Sequence, residues 1–81
     1  MKNKIIEIIS ELCPDESITE ETQMVKDGIL DSIILFQLIE QLENEFDIII
    51  ESVNFEDFNT IDAICKLVTE LSEKDAEENS K

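Results

Sequence analysis

An aspartate and a serine, Asp31-Ser32, stand at the head of the most regular amphipathic segment of the chain. They are where its chemistry is most readily sought. A serine hydroxyl becomes a catalytic nucleophile only with a base in reach. The chain has no His, so neither a Ser-His nor a Cys-His pair can form. Gly28 is the sole glycine, which excludes a glycine-rich loop cradling phosphate. Cys13 and Cys65 have neither metal-like nor C-x-x-C spacing and lie near apolar helix positions. They read as buried, reduced thiols. A calcium loop starting at Asp15 would need Gly sixth and Glu twelfth, but Glu20 and Lys26 stand there. No catalytic residue and no metal site is assigned. By itself Ser32 is a common helix-start serine.

The chain's charge narrows the partners. Six Lys and Arg face 21 Asp and Glu among 81 residues, a formal net charge of -15. Nucleic acid and anionic membrane both recruit basic surfaces, so neither is an expected partner. A basic protein partner fits, because complementary fields speed encounter; the plainer reading is that acidity keeps a small protein soluble. The length suits one domain with one small core. The N-terminal MKNKIIEIISELC is too short and too interrupted by Glu for a signal peptide. No apolar run approaches the roughly 18 residues of a membrane span. A cytoplasmic monomer is expected.

The elements that must position Asp31 and Ser32 follow from periodicity. Ile5, Ile9 and Leu12 recur at helical spacing from about Lys2 to Cys13, with Ile6 and Ile8 beside them, and Pro14 stops that helix. A long acidic loop follows, in which Ser17 and Thr19 are available to cap a turn. Met24, Val25, Ile29 and Leu30 are apolar enough to pin it to a core, and Asp27-Gly28 predicts a tight turn with positive φ. Leu35, Leu38, Ile39, Leu42 and Phe46 form the apolar side of a helix from Ser32 to Phe46, with Asp31 as N-cap. Ile48 to Ile50 read as an extended connector over the core, and Asn54 to Phe58 as a short helical turn anchored by Phe55 and Phe58. Thr60 caps a last helix with the stripe Ile61, Ile64, Cys65, Val68 and Leu71. With one Gly and one Pro, an all-β fold lacks its turns. The fold class predicted is all-α: a small three-to-four-helix bundle with a long loop between its first two helices. Residues 1–72 form the domain; 73–81 read as a polar, disordered tail.

The run VKDGILDSIILFQLIEQLENEFDI around Ser32 resembles the attachment motif of the acyl carrier and peptidyl carrier family. The family's hallmark is an Asp-Ser-Leu-like tripeptide opening the second helix. Asp31-Ser32-Ile33 matches two of its three residues, with Ile33 replacing Leu conservatively. The approach Gly28-x-Leu30-Asp31-Ser32 and the run Leu42-Glu43-x-Glu45-Phe46-Asp47-Ile48 are similar as well, and the likeness covers about Ile5 to Leu71. Agreement of length, layout, loop and acidity with the motif carries more weight than the tripeptide.

The resemblance implies an acyl-carrier-type bundle that is not an enzyme. Ser32 would receive 4'-phosphopantetheine from coenzyme A through a phosphopantetheinyl transferase, which activates the hydroxyl itself. The arm's thiol would hold an acyl or aminoacyl group as a thioester. Asp31 would cap the helix and meet the transferase. The surface read by partner enzymes, a loading ligase and a downstream acyltransferase, would include Ile33, Gln37, Glu40 and Asn44, with Glu43 at the flank. The chain departs from fatty-acid carriers: Ile34 and Gln37 stand where acidic residues usually follow the serine, and Glu40 where an apolar residue, commonly Met, is usual. The stretch VNFEDFNTIDAI resembles discrete carriers serving amino-acid-activating enzymes, D-alanyl carriers among them. Ile33 and Ile34 together suggest an apolar contact near the arm; the alternative is that Ile34 packs at the core edge and only Ile33 is exposed. The alternative function is an unmodified acidic helical module that binds a basic partner.

Overall fold

The computed structural model describes residues 1–79, with side chains described as far as Glu73. Three α-helices and one 3-10 turn make up its regular structure: α1 Lys2–Leu12, α2 Ser32–Phe46, the 3-10 turn Phe55–Phe58, and α3 Ile61–Asn79. Among the described residues there is no strand. The fold is the all-α, acyl-carrier-type bundle that the periodicity and the resemblance led us to expect.

Each helix buries one stripe. α1 turns Ile5, Ile8 and Ile9 inward, and α2 turns in Leu35, Leu38, Ile39 and Leu42. α3 contributes Ile61, Ile64 and Val68, and the 3-10 turn adds Phe58. α1 packs against both α2 and α3. These faces close one core, to which the first loop adds Met24 and Leu30. Burial of a Leu, Ile or Phe side chain contributes about 1.5–3 kcal/mol, so this cluster is the main favourable term in a fold this small.

Local chemistry ends each helix. Cys13 leaves α1 in a non-helical conformation just before Pro14, its N–H donating to the Ile9 carbonyl. α2 ends at Asp47, which adopts a left-handed backbone (φ 54°, ψ 52°) that Asp tolerates better than most residues. The Glu43 carbonyl accepts from the N–H groups of both Asp47 (i,i+4) and Ile48 (i,i+5). The second of these is the bond of a Schellman ending. Nothing in the local sequence had marked this cap, since Gly is the usual residue there. The Glu43 side chain then accepts from Ile50 N–H at 2.9 Å. Ile48 to Ile50 is thus an extended connector, with Ile48 and Ile50 buried and Ile49 exposed. Thr60 caps α3, its hydroxyl accepting from Ala63 N–H at 3.1 Å.

One sequence expectation needs correction. Phe58 is buried but Phe55 is substantially exposed, so Phe58 alone anchors the 3-10 turn. A 3-10 turn stacks residues i and i+3 on one side, so the packing of the neighbouring elements, not the turn itself, separates Phe58 from Phe55. The helical backbone of α3 continues to Asn79, past residue 73 where a polar tail was expected to begin. Residues 73–79 lack an apolar stripe, yet Glu, Lys and Ala are good helix formers and no Gly or Pro interrupts them. Ser80 and Lys81, the end of that expected tail, lie outside the described residues.

Among the described residues, three ion-pair contacts fasten α1 to its neighbours and a fourth lies within α1. Lys2 meets Glu20 of the loop at 3.0 Å and Asp62 of α3 at 2.9 Å. Lys4 meets Glu45 of α2 at 3.3 Å and Glu7 at 3.8 Å. All are on the surface, where such pairs contribute little individually.

Candidate functional site

The head of α2 is built by a turn on one side and a core stripe on the other. Asp27-Gly28 makes the turn, with Gly28 at φ 78° where a side chain would be strained. Leu30 is buried immediately before Asp31 and Leu35 immediately after the first helical turn. These two anchors hold Asp31, Ser32 and Ile33 between them at the surface, all three exposed.

Asp31 has extended backbone (φ -88°, ψ -178°), and its carboxylate accepts from Ile34 N–H at 2.9 Å. Its carbonyl accepts from Leu35 N–H at 2.8 Å, the first intrahelical bond of α2. Asp31 is thus the N-cap that the sequence predicted. The N–H groups of Ser32 and Ile33 precede that first bond and face out of the helix end. The dipole of α2 adds partial positive charge there. The Asp31 carboxylate is already engaged by the helix, and its negative charge makes it unsuited to ligating a second anion.

The residues expected to meet partners fall as follows. Ile33, Gln37, Glu40 and Asn44 are all exposed on one line of α2, at spacings of four, three and four residues. Ile33 is 70 % exposed while Ile34 is partly buried, so only Ile33 is presented to solvent. Glu43 is half-buried and its carboxylate holds the connector at Ile50, a structural task. Phe36, 65 % exposed, stands one turn beyond Ser32 and was not named among the contact residues. Its helical offset from the apolar stripe was the available signal.

Sequence reasoning also passed over Asn59. It lies just after the 3-10 turn and bonds to a loop more than 30 residues earlier. No local pattern announces so distant a partner.

The two thiols are free. Cys13 Sγ lies 4.0 Å from the Ile29 carbonyl. Burial, with the charges of Glu16 and Asp31 adding to it, pushes the Cys13 thiol up from its ordinary pKa. Burial likewise pushes up Cys65. Neither thiol has the depressed pKa of a reactive cysteine. No group of three or more metal-ligating side chains occurs among the described residues.

Comparison with known proteins decides the family. The family described as "Phosphopantetheine attachment site" matches residues 3–68. The chain belongs to this family. It is a phosphopantetheine carrier protein of D-alanyl-carrier-like type, and its prosthetic group is 4'-phosphopantetheine. The D-alanyl carrier protein of Streptococcus sanguinis (strain SK36) is 40 % identical over 74 residues, covering 88 % of this chain and 94 % of the relative. That of Streptococcus mutans serotype c is 36 % identical with the same coverage. That of Bacillus subtilis (strain 168) is 28 % identical, covering 86 % and 95 %. No solved structure matches the chain significantly. Carrier proteins of this kind are not catalytic, and partner enzymes act on them. No helix among the described residues is long and apolar enough to cross a membrane.

The head of α2 fits the prosthetic group. Attachment needs a hydroxyl that another enzyme can reach, and Ser32 is exposed. A phosphodiester carries negative charge, and the open N–H groups of the helix end favour it. When bound, the group supplies a terminal thiol on a long arm.

Proposed function

We propose that Ser32 is the residue that carries 4'-phosphopantetheine and that the chain serves as an aminoacyl carrier for D-alanine. The observation that carries this reading is the exposed hydroxyl at the first position of α2, immediately after a capping Asp31 and inside the matched span. The cargo comes from the relatives, which are named D-alanyl carrier proteins and are covered almost end to end.

In this reading each residue has a physical task. Ser32 supplies the oxygen that forms the phosphodiester. Asp31 orders the first turn and offers the transferase a negative charge. The line Ile33, Gln37, Glu40 and Asn44 is the face on which the transferase, an adenylating ligase and a downstream acyltransferase alight, and the acidity of the chain draws basic rims toward it. Glu43 supports that face by holding the connector. The modification draws on coenzyme A, which supports a cytoplasmic location.

Intact mass after incubation with coenzyme A and a broad-specificity phosphopantetheinyl transferase tests the attachment. A gain of one phosphopantetheinyl group, lost in Ser32→Ala, is expected. A folded, unmodified wild type would favour an acidic interaction module. A gain that persists in Ser32→Ala would move the site. The cargo is tested by offering the modified protein to a D-alanine-activating ligase with ATP, with L-alanine and a fatty acid as competitors. Preferential loading of either competitor overturns the D-alanyl assignment.

A further inference from the structure

Asn59 joins two parts of the chain that are far apart in sequence. Its side-chain Oδ1 accepts from Val25 N–H at 3.0 Å and from Lys26 N–H at 2.9 Å. Its own carbonyl accepts from Met24 N–H at 2.6 Å. Three consecutive N–H groups of the loop are therefore satisfied by one residue. The next residue, Thr60, caps α3, so the clasp is anchored to the start of a core helix.

The clasp continues toward Ser32. The Met24 carbonyl accepts from Ile29 N–H at 2.9 Å and from Leu30 N–H at 3.0 Å. The Met24 side chain is fully buried. Met24 thus donates its N–H to the Asn59 carbonyl, and with its own carbonyl accepts from the two residues just before Asp31-Ser32. Lost clasp bonds would free the turn Met24–Gly28 without removing any core side chain, since Asn59 is not among the core residues.

We propose that Asn59 is a positioning residue for Ser32: by clasping Met24, Val25 and Lys26 together, it holds the Ile29–Asp31 approach in the geometry that the modifying transferase reads. It deepens the reading of Ser32 as the attachment residue and rests on it. Asn59 touches neither the hydroxyl nor the prosthetic group. Removing Oδ1 leaves two backbone donors without their partner, one of them on half-buried Val25. That loosens the turn, and the transferase must then select the ordered fraction.

The experiment compares wild type, Asn59→Ala and Asn59→Asp under conditions where all three are folded by circular dichroism. Transferase kinetics and amide hydrogen exchange are both measured. For Asn59→Ala, kcat/KM for Ser32 modification should fall about tenfold, chiefly through KM, because the competent conformation is less populated. Exchange at Ile29 and Leu30 should accelerate while the amides of Leu38 and Leu42 keep their protection. Asn59→Asp retains an Oδ1 acceptor and should restore most of both. Unchanged kcat/KM in folded Asn59→Ala overturns the proposal, as does faster exchange spread evenly over the core, which marks a merely structural role. Failure of the wild type to be modified at all overturns the carrier reading instead; the exchange at Ile29 and Leu30 then still reports whether the clasp orders this approach, and no change there sinks it too.

Discussion

Replacing Asp31 separates two tasks that the structure gives to one carboxylate. Asp31→Ala removes the 2.9 Å bond to Ile34 N–H and the negative charge at the helix end. Loss of an N-cap acceptor costs about 0.5–2 kcal/mol, typically near 1. Loss of a charge that favours the helix dipole costs about 0.3–1 kcal/mol at low salt and less when screened. Relief of repulsion in a chain of formal charge -15 offsets part of the second term. The net expectation is about 1 kcal/mol, which lowers Tm by roughly 4–8 °C in a domain of this size. Asp31→Asn keeps an acceptor oxygen and loses only the charge, so its Tm should lie between those of Ala and wild type. Thermal melts followed by circular dichroism, at low and high salt, supply the numbers. The transferase assay supplies the other half: if the charge is what the enzyme meets, Asn and Ala lose modification alike despite their different stabilities. A Tm for Asp31→Ala equal to wild type would refute the capping argument, because the helix that carries four core residues would then start equally well without it.

Stability should fall on the alkaline side. Cys13 and Cys65 are pushed up by burial, Lys2 by its bonds to Asp62 and Glu20, and Lys4 by its bond to Glu45. All four hold their protons longer in the folded chain, so the stability they give is complete below the unfolded pKa values, about 8.5 for Cys and 10.4 for Lys, and is lost as pH rises through the folded ones. Tm measured with a reductant should therefore be lower near pH 10.5 than near pH 8; an equal or higher value contradicts the sign. Added sodium chloride or magnesium should raise Tm, since screening relieves the self-repulsion of 21 acidic residues against six basic ones; a flat or falling Tm with magnesium counts against it. Ile33→Asp should leave the folding stability within about 0.5 kcal/mol of wild type, because Ile33 is 70 % exposed, yet impair modification and loading. Unchanged loading kinetics would remove Ile33 from the contact face.

Much of this protein is legible in its residues alone. The stripe Leu35, Leu38, Ile39 and Leu42 dictates where α2 turns inward, and that in turn leaves Ile33, Gln37, Glu40 and Asn44 outside. Asp31 announces the helix start, Gly28 the positive φ before it, and Thr60 the start of α3, because caps and turns are decided by neighbours a few residues away. The roles that depended on distant partners were not legible. Glu43 lies on the flank of α2, and only the path of the connector turns its carboxylate onto Ile50 rather than toward a partner. Phe55 and Phe58 look alike in sequence, and only packing decides that Phe58 is buried. Asn59 reads as a polar residue between a turn and a cap until the fold brings Met24, Val25 and Lys26 against it. Periodicity and capping are local and survive in the sequence; a hydrogen bond across 33 or 34 residues exists only once the core has closed and brought the two segments together.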